Sequence, residues 1–288
     1  MSEAEAIRRY YATDRNLRVR EETHAKYALP RIDFARWTLA TLDWAGDEVI
    51  LDIGAGRGRH YACLTQDQPG ITYFALDLSP KLLLNHPCAA DHLALGDAMR
   101  LPYSDDSFDI VMANHVLYHL ADIEVGLAEI KRVLKPGGRV LAATDSLQTL
   151  PELQVLIRRA IVLLSKNGTD VVNPPIMPSD AFALENGTRI LARHFYAVVR
   201  HDLPCQLVFD DVEPAMEYLD SMRELRQGGL PDDVSWDDMM LIMRQQFTQL
   251  LQLLGKLEFH LAVGALIASD CGGFIHEFVA RDRNYGYD

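Results

Sequence analysis

Short apolar runs separated by stretches of helix length give the first half of the chain a repeating pattern. Such alternation is typical of a parallel sheet whose strands are joined by crossover helices. The motif KPGG (135–138) should end the helix that begins near Ile123, because proline and glycine do not continue a helix. The pattern predicts an α/β fold, with strands at VILDI (49–53), ITYFALD (71–77), HLALGD (92–97), FDIVMAN (108–114) and RVLAATD (139–145).

The segments on either side of this region differ from it. Residues 4–28 have helical periodicity, and a second helix follows around Trp37, so residues 1–45 are predicted to form a helical N-terminal cap. Residues 46–147 should form the Rossmann-like core. Residues 148–288 should complete the sheet with strands at FYAVVRHDL (195–203) and GFIHEFVARD (273–282), separated by a helical lid over about 212–262.

Composition and charge narrow the class of partner. The formal net charge of -13 argues against nucleic acid, which needs a basic surface, and favours a small-molecule substrate. No apolar run approaches the roughly 20 residues of a membrane helix, and the polar start does not resemble a signal peptide, so we expect a cytoplasmic protein without membrane contact. Four scattered cysteines and ten histidines form no metal-ligand spacing, which predicts no metal site.

A glycine-rich loop follows the first strand and forms the strongest single signal. It reads Asp52-Ile53-Gly54-Ala55-Gly56-Arg57-Gly58, and glycines at such a turn let a ligand lie against the backbone. The spacing is GxGxG rather than the GxGxxG of dinucleotide enzymes, and the Asp52 carboxylate would repel a pyrophosphate. A zwitterionic or cationic cofactor would tolerate it.

Two further acidic residues end the next two strands. Asp77 can accept hydrogen bonds from ribose hydroxyls, and the alternative is a helix N-cap or turn. Asp97 can accept from an adenine amino group, and the alternative is a Gly-Asp turn. The carboxyl edge of one sheet would thus hold a glycine loop, a ribose carboxylate and an adenine clamp.

Four consecutive motifs resemble those of the class I S-adenosylmethionine (SAM)-dependent methyltransferases: ILDIGAGRG, ALDLS, GDAMRLPYSDDSFDIVMANHVLYHL and EIKRVLKPGGRVLAATD. They are most similar to the small-molecule branch, which includes ubiquinone/menaquinone and natural-product sugar methyltransferases. The resemblance implies SAM as cofactor, S-adenosylhomocysteine as its product, and a seven-stranded, mostly parallel sheet with an antiparallel last strand. The implied cofactor-binding residues are Asp52, Gly54, Ala55 and Gly56 around the methionine part, Asp77 on the ribose, Leu78 and Met99 on the faces of the adenine, Asp97 and Ala98 at its edge, and Asn114 near the methionine amino group.

The N-terminal cap also offers two residues to the cofactor. In this family a preface helix often closes over the cofactor, so Tyr11 or Arg20 would touch the methionine carboxylate. The alternative is ordinary amphipathic packing with a solvated basic edge.

In methyl transfer from SAM, the enzyme mainly aligns the acceptor with the methyl group, so no nucleophilic side chain is required. A general base would help if the acceptor must lose a proton. His115, Tyr118 and His119 follow the fourth strand, and in a helical turn His115 and His119 would share a face. The resemblance favours Tyr118 or His119 facing the substrate, and the alternative for His119 is structural packing. Asp145, after the fifth strand, could orient a histidine, bind substrate or cap a helix.

Other functions remain open from the sequence. An NAD(P)-dependent oxidoreductase shares the strand-turn-helix and the ribose acid, although the GxGxG spacing and Asp52 weigh against it. A non-catalytic SAM-binding protein would keep the same binding motifs. The Asn173-Pro174-Pro175 motif, found in adenine-N6 and glutamine methyltransferases, follows the fifth strand rather than the fourth, which favours a loop. Oxygen, nitrogen and carbon acceptors all remain possible.

Overall fold

The computed structural model describes residues 15–166, 177–271 and 273. The chain divides into two compact units that interleave along the sequence. The sheet unit comprises Phe34–Leu147, Ala181–Asp202 and Val263–Asp288, and the helical unit comprises Met1–Asp33, Gln148–Asp180 and Leu203–Ala262. The three-part division expected from the sequence, at residues 45 and 147, stays a prediction.

Within the described residues, eight strands and the helices that connect them follow one another along the chain. The strands are β1 (Ala28–Leu29), β2 (Val49–Ile53), β3 (Thr72–Asp77), β4 (Leu93–Leu95), β5 (Phe108–Met112), β6 (Leu134–Asp145), β7 (Ala197–Phe209) and β8 (Leu257–Ser269). The α-helices are α1 (Arg15–Tyr27), α2 (Phe34–Leu39), α3 (Arg59–Asp67), α4 (Pro80–Leu84), α5 (Ile123–Val133), α6 (Pro151–Leu164), α7 (Leu184–Leu191), α8 (Val212–Asp220), α9 (Arg223–Arg226) and α10 (Trp236–Leu254).

The strands form one sheet in the order β1-β7-β8-β6-β5-β2-β3-β4. Strands β2 to β6 pair in parallel, and β8 pairs antiparallel with β6. The predicted α/β Rossmann-like class is therefore confirmed. The described part of the sheet has eight strands where the resemblance implied seven, and one of them is the two-residue β1, which adds to β7 through the antiparallel pair Ala28–Leu207.

The predicted crossover helices form where apolar periodicity and capping agree. Helix α5 begins after Asp122, whose carboxylate accepts from the backbone N–H groups of Glu124 and Val125. It buries Leu127 and Ile130 in the core of the sheet unit, and burial of such a side chain contributes about 1.5–3 kcal/mol. The helix ends at Val133, as the KPGG motif predicted.

The prediction of a helical lid over about 212–262 is partly wrong. Helices α8, α9 and α10 occupy its first part, but α10 ends at Leu254 and β8 begins at Leu257, inside the stretch predicted to be helical up to 262. The alternation in LEFHLAV places every second side chain inside, and the rest of β8 is buried throughout. The strand predicted at 273–282 lies outside the described residues except for Gly273.

The helical unit has its own apolar core. Side chains of α6, α8 and α10 meet there, and Phe247 and Tyr218 are among its largest buried members. The methionines buried in this core are Met216, Met222, Met239 and Met243. Within the described ranges, no helix is long and apolar enough to cross a membrane.

Substitution of Gly264 by alanine should destabilise the fold strongly. A Cβ atom there would lie 2.3 Å from the backbone oxygen of His201, and backbone cannot yield as a flexible side chain can. We expect a loss of about 2–3 kcal/mol or more in the free energy of unfolding, measured by urea denaturation. Gly228→Ala is the control, because no heavy atom lies within 4 Å of its added Cβ. Equal denaturation midpoints for the two variants would contradict this packing.

Candidate active site

The glycine loop, residues 54–58, connects β2 to α3 and is fastened to the neighbouring strand. The backbone N–H groups of Gly54 and Ala55 both donate to the oxygen of Leu76, at 2.7 and 3.2 Å. Gly54, Gly56 and Gly58 have φ angles of 67°, 58° and 76°. This left-handed region suits glycine, because a Cβ there crowds the backbone.

The three glycines face different surroundings. A Cβ on Gly54 would lie 2.8 Å from Cγ2 of Val116, and one on Gly58 would lie 2.6 Å from Cδ of Pro87. A Cβ on Gly56 would meet nothing nearer than the oxygen of Gly54, at 3.9 Å. Packing therefore requires the outer two glycines, whereas Gly56 lines an open space beside the loop.

Asp77 lies at the end of β3, where its carboxylate joins the loop to the next turn. Oδ2 accepts from the N–H of Gly56 at 2.9 Å, and Oδ1 accepts from the N–H of Ser79 at 2.8 Å. The side chain of Ser79 caps α4, so Asp77 is not the N-cap, but the bond from the Ser79 N–H two residues on forms the turn that the alternative named. Only 8% of Asp77 is exposed, and this burial raises the pKa of its carboxyl group.

The residues predicted to contact the adenine lie just after the ends of β3 and β4. Leu78 is 57% exposed directly after Asp77, while Met99 is half-buried and Ala98 is buried. The Asp97 carboxylate accepts from the N–H of Met99 at 2.9 Å and remains exposed. The Gly-Asp turn therefore does form, and its carboxylate remains accessible to a ligand.

Asn114 lies just past β5. Its Oδ1 accepts from the N–H of Ala143 at 3.1 Å, which fastens it to β6. Its Nδ2 is buried and finds no hydrogen-bond partner among the described residues. A buried donor without a partner costs about 1–3 kcal/mol, so this amide suits an acceptor group on a ligand.

The turn after β5 holds the candidate bases, but not as predicted. Only Leu117–His119 forms a helical turn, of the 3-10 type, and His115 precedes it with a left-handed φ of 55°. The expectation that His115 and His119 share a face of one helix is therefore wrong. The His115 ring contacts Phe34, with centroids 5.5 Å apart, and Tyr118 is buried with its ring 4.4 Å from that of His119.

The other predicted site residues are more scattered. Asp145 is buried at the end of β6, paired across the sheet with Val263, and no helix starts until Pro151, so it caps none. Arg20 is half-buried in α1 of the helical unit, and Tyr11 lies outside the described residues. In the part of the chain that the structure describes, no group of three or more His, Cys, Asp or Glu side chains could hold a metal ion.

Asp52 lies beneath the glycine loop rather than at its surface. It is buried, and its Oδ2 accepts from the Tyr73 hydroxyl at 2.5 Å. Burial raises the pKa of Asp52 to about 7, against the opposing effect of the Tyr73 hydrogen bond. The sequence interpretation missed Tyr73, although its inward position in a strand beside β2 was a usable signal.

Replacing Asp52 with asparagine should change how stability depends on pH. The native pKa is raised from 3.8 to about 7, so the native chain holds this proton more tightly and wild-type stability falls as pH rises between these values. Asparagine keeps an acceptor for Tyr73 but does not titrate. The difference in free energy of unfolding between the variant and wild type should therefore shift in favour of the variant by on the order of 2 kcal/mol from pH 5 to pH 8, measured by urea denaturation. Asp91→Asn, at an exposed position, should show no such shift. A pH-independent difference for Asp52→Asn would refute the assignment.

Comparison with known proteins finds methyltransferases among the chains that this one is similar to. Residues 51–142 match the family model described as a methyltransferase domain. A malonyl-[acyl-carrier protein] O-methyltransferase of Xylella fastidiosa is 31% identical over 193 residues, which cover 63% of this chain and 60% of the relative. A demethylmenaquinone methyltransferase of Beutenbergia cavernae is 38% identical over 115 residues, which cover 38% of this chain and 47% of the relative.

A solved structure extends the comparison to the fold. The crystal structure of a putative methyltransferase from Bacillus halodurans has a TM-score of 0.53 at 17% identity and covers 83% of this chain and 99% of its own. At this identity the likeness shows the fold alone. Over residues 51–142 the chain is therefore similar to methyltransferase domains, and its fold is that of a solved methyltransferase. It spans 60% and 47% of the length of the two curated relatives.

Proposed function

We propose that this chain binds SAM and transfers its methyl group to a small-molecule acceptor. The observation that carries the proposal is the open space at Gly56 beside the buried Asp77 carboxylate, whose Oδ2 holds the Gly56 N–H. This pair lies at the carboxyl end of β2 and β3, where open α/β sheets bind their ligands. A cytoplasmic location belongs to the same proposal.

The residues around the loop fit the parts of this cofactor. The Asp77 carboxylate accepts from the backbone N–H groups of Gly56, Leu78 and Ser79, and of its roughly four lone-pair sites one remains for a ribose hydroxyl. Exposed Leu78 and half-buried Met99 offer apolar surface for the adenine faces. The buried Nδ2 of Asn114 is a donor, which suits the methionine carboxylate better than the amino group first expected.

The bound cofactor would supply a methyl group on a sulfonium, and transfer to a nucleophile leaves S-adenosylhomocysteine. The task of the protein is then to align the acceptor and exclude water, and such positioning can supply about 7–11 kcal/mol. We assign the general base to His115 or His119 at the end of β5, with the ring of buried Tyr118 against both histidine rings as support.

His115→Gln or His119→Gln should lower kcat and leave the affinity for S-adenosylhomocysteine unchanged.

Turnover with defined acceptors tests this proposal. The relatives are named for malonyl-[acyl-carrier protein] and demethylmenaquinone, so these two classes are the first acceptors to supply with SAM. Formation of S-adenosylhomocysteine above the acceptor-free background, absent in an Asp77→Ala variant, is the expected result. Binding of S-adenosylhomocysteine without turnover on either acceptor would favour the non-catalytic SAM-binding alternative.

A further inference from the structure

The outward face of α6 is unusual for so acidic a chain. Five exposed residues form this face. Counted from the first of them, the others follow after three, four, seven and eight residues, so all five lie on one side of the helix. They are Val155, Arg158, Arg159, Val162 and Leu163, here called the α6 face. The three apolar members are 65%, 43% and 63% exposed. The chain has 41 acidic residues, yet none of them belongs to this face.

The two arginines of the α6 face keep their charge available. Neither Arg158 nor Arg159 makes an ion pair or a side-chain hydrogen bond with the described part of the chain, whereas the exposed Arg193 pairs with Glu124. The acid of this helix, Glu152, lies at its start and bonds His260 through Oε1 and Nδ1, 2.5 Å apart. The face is therefore positive and apolar.

The fold does not need the α6 face for its own packing. The opposite side of α6 buries Leu153, Ile157, Ala160 and Ile161 in the core of the helical unit. Exposed apolar side chains grouped with uncompensated charge often mark a site of association.

Helix α10 packs beside α6 in the core of the helical unit. The N–H of Lys166, past the end of α6, donates to Asp233, just before α10, and the Gln246 side chain donates to the oxygen of Leu156. The two helices therefore run antiparallel.

We propose that the α6 face docks an acidic protein that carries the methyl acceptor, through a helix whose apolar residues are flanked by carboxylates. This rests on the proposed function, because the carried group must reach a methyltransferase site. The charge of Arg158 and Arg159 complements carboxylates on the partner. A single helix of 14 residues, about 21 Å long, makes a small contact of the kind found in transient complexes.

A membrane surface fits the α6 face less well than a protein helix does. Helices that lie in the bilayer interface usually present Trp, Phe or several Leu side chains. The α6 face presents two valines and one leucine, without an aromatic residue. Short branched side chains pack well into the grooves of another helix.

The test uses malonyl-loaded acyl carrier protein as the probe and measures its binding by fluorescence anisotropy at low salt. Arg158→Glu/Arg159→Glu should weaken binding at least 10-fold, because like charges replace complementary ones. Arg158→Lys/Arg159→Lys should bind within about 2-fold of wild type. Arg31→Glu/Arg189→Glu, at exposed positions elsewhere, makes the same change in net charge and should also leave binding intact.

Three results would overturn the docking proposal: no binding of the probe by wild type, equal weakening in the Arg31/Arg189 control, or retention of binding in the Arg158/Arg159 reversal. Capture by anionic phosphatidylglycerol vesicles that depends on the same arginines, without carrier binding, would assign the face to a membrane instead. Titration with S-adenosylhomocysteine in every variant separates the two proposals, because its binding should not respond to changes on the α6 face. Failure of wild type to bind S-adenosylhomocysteine would remove the proposed function itself.

Discussion

Replacing Asp77 with alanine should weaken binding of S-adenosylhomocysteine by roughly 10- to 100-fold. The ligand would lose a charge-assisted hydrogen bond from a ribose hydroxyl to this carboxylate, worth about 1.5–3 kcal/mol. The substitution would also release the N–H of Gly56, which the carboxylate holds at 2.9 Å, so the loop would be less well ordered for the ligand. Isothermal titration calorimetry measures the affinity directly.

Two controls separate a binding role of Asp77 from a structural one. Asp91→Ala removes an exposed carboxylate and should bind like wild type. Asp77→Asn keeps one acceptor oxygen and should lose less affinity than Asp77→Ala. Thermal unfolding of each variant shows whether the fold persists. Wild-type affinity in a folded Asp77→Ala protein would exclude this residue as the ribose carboxylate.

The second large effect should distinguish two glycines of the same loop. Gly56→Ala and Gly58→Ala both place a side chain at a left-handed φ, of 58° and 76°, which costs about 1–2 kcal/mol. Only Gly58→Ala also collides with neighbours, since its Cβ would lie 2.6 Å from Pro87 and 2.7 Å from Nε2 of His86. Gly58→Ala should therefore lose about 1–3 kcal/mol more stability than Gly56→Ala.

Binding should show a different pattern from stability in these two variants. The Cβ of Gly56→Ala would project into the open space beside the loop, so this variant should stay folded and lose affinity for S-adenosylhomocysteine by at least 10-fold. Urea denaturation and calorimetry on the same preparations measure both quantities. A Gly56→Ala protein that binds as tightly as wild type would mean that the ligand does not lie against this residue.

Much of this site follows from local sequence rules. The left-handed glycines, the position of Asp77 at the end of β3 and the stop of α5 before KPGG each depend on a few adjacent residues. Backbone chemistry at such positions leaves few alternatives. The sequence could therefore predict the loop, the strand ends and the α/β class.

Features set by distant neighbours were harder to predict. The burial of Asp52 against Tyr73 depends on two strands packing together. The left-handed backbone of His115 accompanies its N–H bond to the oxygen of Ala143, across the sheet. The start of β8 was missed because apolar Leu250, Leu251, Leu253 and Leu254 continue a helical pattern almost up to the strand.

Calorimetric titration of the wild-type chain with S-adenosylhomocysteine, beside a titration with NADH, tests the central claim most directly. The loop spacing, the Asp77 carboxylate and the open space at Gly56 predict micromolar binding of S-adenosylhomocysteine and none of NADH. Binding of NADH without binding of S-adenosylhomocysteine would contradict the assignment and favour an oxidoreductase.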